Sequence, residues 1–454
     1  MKRRILSLFP VAICASFFFG LGGLPLAALG SADPGGQTLI PGDFVFGDKL
    51  PDAPELASRG PYGVGVRTVN MINPDQMDIL KFKAQTNENP RYDRPLTLEV
   101  WYPAVIPSGK QEKVVYEDML GSANDAKRPN KAFKFPGRAL RDAAPFGKDG
   151  PYPLVIVSHG YPGSRFMMTY LTENLASKGY VVVGIDHTES TFGDVGGFTS
   201  TLLNRSLDQL FVISAMARNT GDAKSFLYRL VDADNTAIIG YSMGGYGALN
   251  AAGAGYSPKG AIYSWVPGAK LAIRSEDNPE YISSIDARIK AIVCLAPWGQ
   301  GIMGGNPLQT WTSSALANIR VPSMFIVGDQ DDVALYDVQG WGVRRIFEEA
   351  TGSDRYLLVY KNAQHNVAPN PPPADSWGLW PEYERYSEPA WSSPRINNIN
   401  QHFITAFLGI HLKGKDFAGY LEVKPESNDG VWGADYWKGF VNRTARGMEI
   451  YHIK

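Results

Sequence analysis

The stretch Thr236–Gly245, TAIIGYSMGG, constrains this chain more than any other. An apolar run ends in Gly240-Tyr241-Ser242-Met243-Gly244 and a second glycine, and a small, Ala/Gly-rich segment follows as far as Ala254. A serine held on a tight turn between a strand and a helix needs small neighbours two residues away on either side. Gly240 and Gly244 meet that need. The stretch reads as a nucleophile elbow, with Ser242 the candidate nucleophile and the Met243 N–H a candidate donor to an oxyanion.

The surroundings of the elbow set the fold class. From Leu154 apolar runs alternate with helical stretches: LVIVSH, Phe166–Lys178, VVVGIDH, Leu207–Arg218, then TAIIGYS. The series resumes with Ala291–Ala296, Pro322–Val327 and Tyr356–Tyr360. Alternation of this kind predicts an α/β fold with a mostly parallel central sheet covered by helices on both faces. Ahead of it, Val64–Val69 and Leu96–Tyr102 are predicted to pair antiparallel at the sheet's edge, the second alternating apolar and polar side chains as a half-buried edge strand does. Ile399–His411 has apolar residues at three- and four-residue spacing, which predicts a final helix.

Residues 1–32 have the make-up of an export signal: Lys2-Arg3-Arg4, an apolar run Ile5–Leu29, then Gly30, Ser31 and Ala32. An uncleaved N-terminal anchor is the competing reading, since the run is long enough to span a bilayer. Export through this signal implies a secreted or periplasmic protein. Residues 33–61 are expected as an extended leader and 62–454 as a single domain with insertions at about 104–150, 255–289 and 366–398. The last two hold Tyr263, Trp265, Trp377, Trp380 and Trp391, candidate covers over the sheet's carboxyl edge. The formal net charge is −1, and loss of the three leading basic residues would bring it to about −4. No nucleic-acid partner is expected from that balance, and the basic run within 125–141 is expected to be a solvated face. Beyond the leader Cys294 stands alone, so no internal disulfide is available.

A serine hydroxyl is a weak nucleophile at neutral pH and needs a base, a group that orients the base, and donors for the developing oxyanion. On this fold class the order along the chain should be serine, acid, histidine. The acid should come from Gly328-Asp329-Gln330-Asp331-Asp332-Val333, after the run Met324–Val327; Asp331 is favoured, with Asp332 and Asp329 as alternatives. Of the six histidines, His365 follows the strand Tyr356–Tyr360 and fits the base. His402 and His411 fall in the last helix and His452 near the chain end, while His159 and His187 precede the serine and could line the pocket. The second oxyanion donor is expected from Ser158–Gly163, on the Tyr161 N–H, because Pro162 has none. No metal site is completed by these carboxylates, and the chemistry needs no cofactor.

Taken together, HGYPG, GYSMGG, LAPW, GDQDD and QHNVAPN resemble motifs of the α/β-hydrolase superfamily, in particular dienelactone hydrolase-like and platelet-activating-factor acetylhydrolase-like esterases. Met243, Trp298 and His365–Asn370 also look like those of bacterial cutinases that cleave polyesters. The likeness runs from about Leu96 to Phe407. It implies an α/β-hydrolase fold, a triad of Ser242, Asp331 and His365, oxyanion donors at Tyr161 and Met243, and Trp298 in the acyl-binding pocket. The expected activity is a secreted serine ester hydrolase working through an acyl-enzyme on small-molecule or polymeric esters, apolar or aromatic, lipid-like or polyester. No stable membrane partner is expected unless the leader stays uncut. The alternatives are a peptidase or amidase using the same triad, or a catalytically silent binding protein on a hydrolase fold.

Overall fold

A computed structural model describes residues 44–425, 427 and 437–454. The chain divides into two units, Met1–Phe44 and Val45–Lys454. The expected signal segment 1–32 and the first part of the leader lie outside the described residues.

In chain order the strands of the second unit are β1 Gly63–Met77, β2 Arg91–Val105, β3 Val114–Leu120, β4 Lys131–Gly137, β5 Leu140–Arg141, β6 Ala144–Pro145, β7 Tyr152–Ser158 and β8 Val181–Asp186. They continue with β9 Val231–Tyr241, β10 Ile289–Leu295, β11 Ile302–Met303, β12 Asn306–Pro307, β13 Ser323–Gly328, β14 Arg355–Tyr360 and β15 Met448–Ile453. The main sheet runs β15-β14-β13-β10-β9-β7-β8-β2-β1-β5, with β6 on β2. From β8 to β14 every pairing is parallel, whereas β1–β2, β2–β8 and β14–β15 are antiparallel.

Neighbouring residues of the parallel strands face opposite sides, so a continuous apolar run fills two cores. Ile156, Ile238, Ile292 and Phe325 point to one core, closed by Leu202 and Val212 of the helix Phe198–Gly221 and by Tyr246 and Leu249 of the helix Met243–Ala251. Val155, Ile239, Val293 and Met324 point to the other, closed by Leu171 of the helix Thr169–Ser177 and by Phe403 and Phe407 of the helix Ser393–Lys413. Each such side chain, at 0% exposure, contributes roughly 1.5–3 kcal/mol of transfer free energy. A charged residue at Val293 would break the second core outright. The last helix is longer than its apolar spacing suggested; it starts at a serine followed by Pro394 and stops where Gly414 turns to φ +59°.

Two expectations differ from what is observed. β2 is not an edge strand but lies inside the sheet between β1 and β8. Its alternating polar residue, Glu99, is fully buried and is held by ion pairs to Arg141 and Arg165 instead of water. The basic run is also less solvated than expected. Arg128 pairs with Glu382 at 2.9 Å and Arg138 with Asp48 at 2.6 Å, while Lys131 and Lys134 stay exposed. Around these charges β3 and β4 form a hairpin whose Tyr116, Phe133 and Phe135 are buried. The Trp101 indole N–H of β2 donates to the Tyr116 hydroxyl at 2.7 Å.

Candidate active site

Ser242 stands between the end of β9 and the helix Met243–Ala251 with φ +51° and ψ −113°, a region that a non-glycine residue enters only under strain. The turn survives because its surroundings accept nothing larger than glycine. A Cβ on Gly240 would lie 2.2 Å from the Gly244 carbonyl oxygen, and one on Gly244 would lie 2.0 Å from that of Ser158. Backbone bonds hold the serine from both sides: its N–H donates to the Leu295 carbonyl at 2.9 Å, and its carbonyl accepts from Trp298 at 3.2 Å and Tyr246 at 3.1 Å.

Asp331 and His365 come from the loops after β13 and β14, which lie beyond β10 on the same side of β9. Gly328 ends β13, and Asp331 follows in a turn whose amides satisfy it: Oδ1 accepts from Val333 at 2.9 Å and Ala334 at 2.7 Å. His365 follows β14, with Nδ1 2.9 Å from Asp331 Oδ2 and Nε2 3.0 Å from Ser242 Oγ. The Nδ1–H donates to the carboxylate, which leaves Nε2 to accept from the serine hydroxyl. Burial alone would raise the Asp331 pKa, but His365 and the turn amides outweigh it and hold the carboxyl below its usual range. Burial likewise pulls His365 down, and the charge of Asp331, then Asp332 and Glu388, turns the net shift upward. Of the alternative acids, Asp329 accepts from the Asn362 N–H at 2.6 Å and pairs with Lys361 at 2.9 Å, and Asp332 is exposed.

Glu388, which the sequence reading passed over, grips the histidine loop. Its two carboxylate oxygens accept from the Gln364 N–H at 2.7 Å and the Asn366 N–H at 2.6 Å, the residues on either side of His365. Asn366 in turn accepts from the Tyr241 hydroxyl at 3.0 Å. Nothing in the local sequence marks Glu388, because its partners are backbone amides more than twenty residues earlier.

Tyr161 and Met243 also fall beside the serine. Met243 follows Ser242 directly, and Gly160, before Tyr161, packs so closely that a Cβ there would lie 3.3 Å from Ser242 Cβ. Among the described residues neither the Tyr161 nor the Met243 N–H has an acceptor in the protein. Trp298 belongs to a row of rings: Tyr161 to Phe198 at 5.1 Å, Phe198 to Trp298 at 5.4 Å, and Trp298 to the half-exposed Trp265 at 6.3 Å. Phe198, at the start of its helix, carried no signal beyond being aromatic. Beside His365, a cleft of about 320 Å³ is lined by Asp332, His365, Asn366, Trp380 and Glu384. A larger cavity of about 790 Å³ opens at the amino ends of β7 and β8 and touches none of these residues. Among the described residues no three His, Cys, Asp or Glu side chains gather as a metal would require.

One expectation fails. His187 does not line a pocket: it is 1% exposed, with Nε2 2.8 Å from Ser158 Oγ and Nδ1 3.0 Å from Asp208 Oδ2. Although it follows β8, its side chain turns into a buried polar network beneath the loop Ser158–Gly163.

A mostly parallel sheet flanked by helices, a strained serine after β9, an acid after β13 and a histidine after β14 define an α/β-hydrolase fold. A family model described as PET hydrolase-like matches residues 144–270. Cutinase est1 of Thermobifida alba is 33% identical over 223 residues, covering 49% of this chain and 56% of that protein. Cutinase 2 of Thermobifida cellulosilytica is 27% identical over 187 residues, covering 41% of this chain and 51% of that protein. The chain thus spans about half the length of the curated relatives it matches. A solved ferulic acid esterase from Streptomyces cinnamoneus aligns with a TM-score of 0.48 at 19% identity, over 80% of this chain and 94% of that one.

Proposed function

We propose that this chain is an exported serine ester hydrolase. Ser242 attacks the ester carbonyl while His365 Nε2 takes its proton, and Asp331 orients the ring and stabilises the imidazolium. The tetrahedral oxyanion sits between the N–H groups of Met243 and Tyr161. Its collapse expels the alcohol, which receives the proton from His365, and leaves an acyl-Ser242; water then repeats the sequence and frees the acid. The observation that carries this reading is the unbroken chain Ser242 Oγ, His365 Nε2, His365 Nδ1, Asp331 Oδ2, with steps of 3.0 and 2.9 Å.

An ester, in preference to an amide, is supported by the likeness to proteins named cutinases and to a PET hydrolase-like family. The ring row from Tyr161 to Trp265 supports an apolar or aromatic acyl or alcohol group, in a small molecule or a polymer. Export rests on the basic and apolar composition of residues 1–32. The test pairs short-chain nitrophenyl esters with matched anilides and labels the protein with a fluorophosphonate. Ester turnover and labelling are expected from the wild type and should vanish in Ser242→Ala. Faster anilide cleavage would favour a peptidase or amidase, and equal labelling of the variant would refute the serine's role.

A further inference from the structure

His159 and His187 are both 1% exposed, their rings 5.1 Å apart beneath the loop that carries Tyr161. Their partners fix their tautomers. His187 lies between the Asp208 carboxylate and the Ser158 hydroxyl, so Nδ1 bears the proton and Nε2 accepts from the serine. Serine, histidine and aspartate are thus ordered as around Ser242, but Ser158 is fully buried and no ester could reach it. His159 Nε2 accepts from the His187 backbone N–H at 3.3 Å, so Nδ1 bears the proton and donates to the Gly160 carbonyl at 2.7 Å. Burial, then the positive charge of Arg205, keeps both rings neutral, with His187 pushed down to about 3.

Arg205, from the helix Phe198–Gly221, closes the assembly. It donates to the carbonyls of His159 at 2.5 Å and Gly160 at 3.4 Å and to the Ser190 hydroxyl. Arg94 locks Asp208 through two bonds of 2.8 and 3.0 Å. Such a group is expensive to bury: among the described residues Arg205 meets no carboxylate directly and its Nε has no partner. Hydrocarbon would fill the space at lower cost, which points to a task for the charge. The task is visible in peptide geometry. The Gly160–Tyr161 bond is trans, so its N–H points opposite to its C=O. The carbonyl bonds to His159 and Arg205, so the Tyr161 N–H points away from them, and Gly160 itself abuts Ser242.

We infer that His159 and Arg205, backed by the chain Ser158–His187–Asp208–Arg94, are positioning residues that aim the Tyr161 N–H at the oxyanion. This inference rests on the esterase reading of the Ser242 site. The full-length protein is titrated to completion with a fluorophosphonate, and kcat, KM and phenylboronic acid affinity are then measured per labelled serine. His159→Leu and Arg205→Lys should each lower kcat and boronate affinity by about 10- to 100-fold with KM within about twofold, because a tilted oxyanion donor is felt in the tetrahedral state. His159→Asn retains a donor near Nδ1 and should restore kcat to within about threefold of wild type. A lower melting temperature and a smaller labelled fraction with unchanged kcat per labelled serine would overturn the inference and leave a structural role only. Should neither variant fold, nitrogen NMR of the wild type decides: both rings should stay neutral and Nδ1-protonated from pH 5 to 9, and titration of either in that range overturns the assembly. Full activity in Ser242→Ala would instead refute the site reading itself.

Discussion

Glu388→Gln should disable the histidine without altering Ser242, His365 or Asp331. The wild-type carboxylate is only 5% exposed and accepts from the two amides that bracket His365, at 2.7 and 2.6 Å. Hydrogen bonds to a charged acceptor contribute roughly 1.5–3 kcal/mol each, and a buried N–H left without a partner costs about 1–3 kcal/mol. Glutamine keeps one oxygen, and its amide nitrogen meets the second N–H donor against donor. The loop should therefore lose roughly 2–4 kcal/mol of ordering. If half of that is felt at the imidazole, kcat falls about 5- to 30-fold. A second readout has an independent cause. Glu388 is one of the negative charges that raise the His365 pKa, after Asp331 and Asp332, so its neutral replacement should move the rising limb of the rate profile to lower pH. The assay is kcat against pH with a nitrophenyl ester, beside a thermal melt. A variant within twofold of wild type with an unmoved limb would refute the clamp.

Other outcomes follow from the same geometry. In the wild type kcat/KM should rise with pH to a midpoint above 6.5, because the base works as the neutral ring and Asp331 holds its proton on; a midpoint at or below 6.5 would contradict the pairing. Gly244→Ala places a methyl 2.0 Å from the Ser158 carbonyl oxygen and should destabilise the fold by about 3 kcal/mol, measured by denaturant melt, with loss of fluorophosphonate labelling. Phe198→Ala removes the ring that bridges Tyr161 and Trp298, and should raise KM for a benzoyl ester about 5- to 10-fold with little change for an acetyl ester. Equal effects on the two esters would argue against an aromatic subsite.

The elbow was legible because its demands are local: two glycines at fixed offsets answer a backbone clash that any such turn creates. Strand-helix alternation likewise announced the sheet, since buried parallel strands leave continuous apolar runs. Asp331 could be favoured over Asp329 and Asp332 only by position, and what separates them is which side chain meets the imidazole and which meets Lys361. The rest depended on neighbours remote in the chain. Glu99 read as a solvent-facing residue until Arg141 and Arg165 were seen to cover it. His187, at the end of its strand, seemed free to line a pocket, but Asp208 on the following helix draws it inward. No local pattern records such pairings, because hydrogen bonds from side chains to distant partners leave composition and periodicity unchanged.

The outermost strand of the sheet has a practical consequence. β15 pairs antiparallel with β14 from Arg355 to Tyr360, and within a few residues β14 leads into His365. Taking away Met448–Ile453 would strip the outer edge from that strand and expose a six-residue row of open N–H and C=O groups. Another copy could then add its own strand there, so truncation should yield self-association along with a histidine set in the wrong register. Size-exclusion chromatography of a Met448–Ile453 deletion should show this self-association beside a loss of ester turnover.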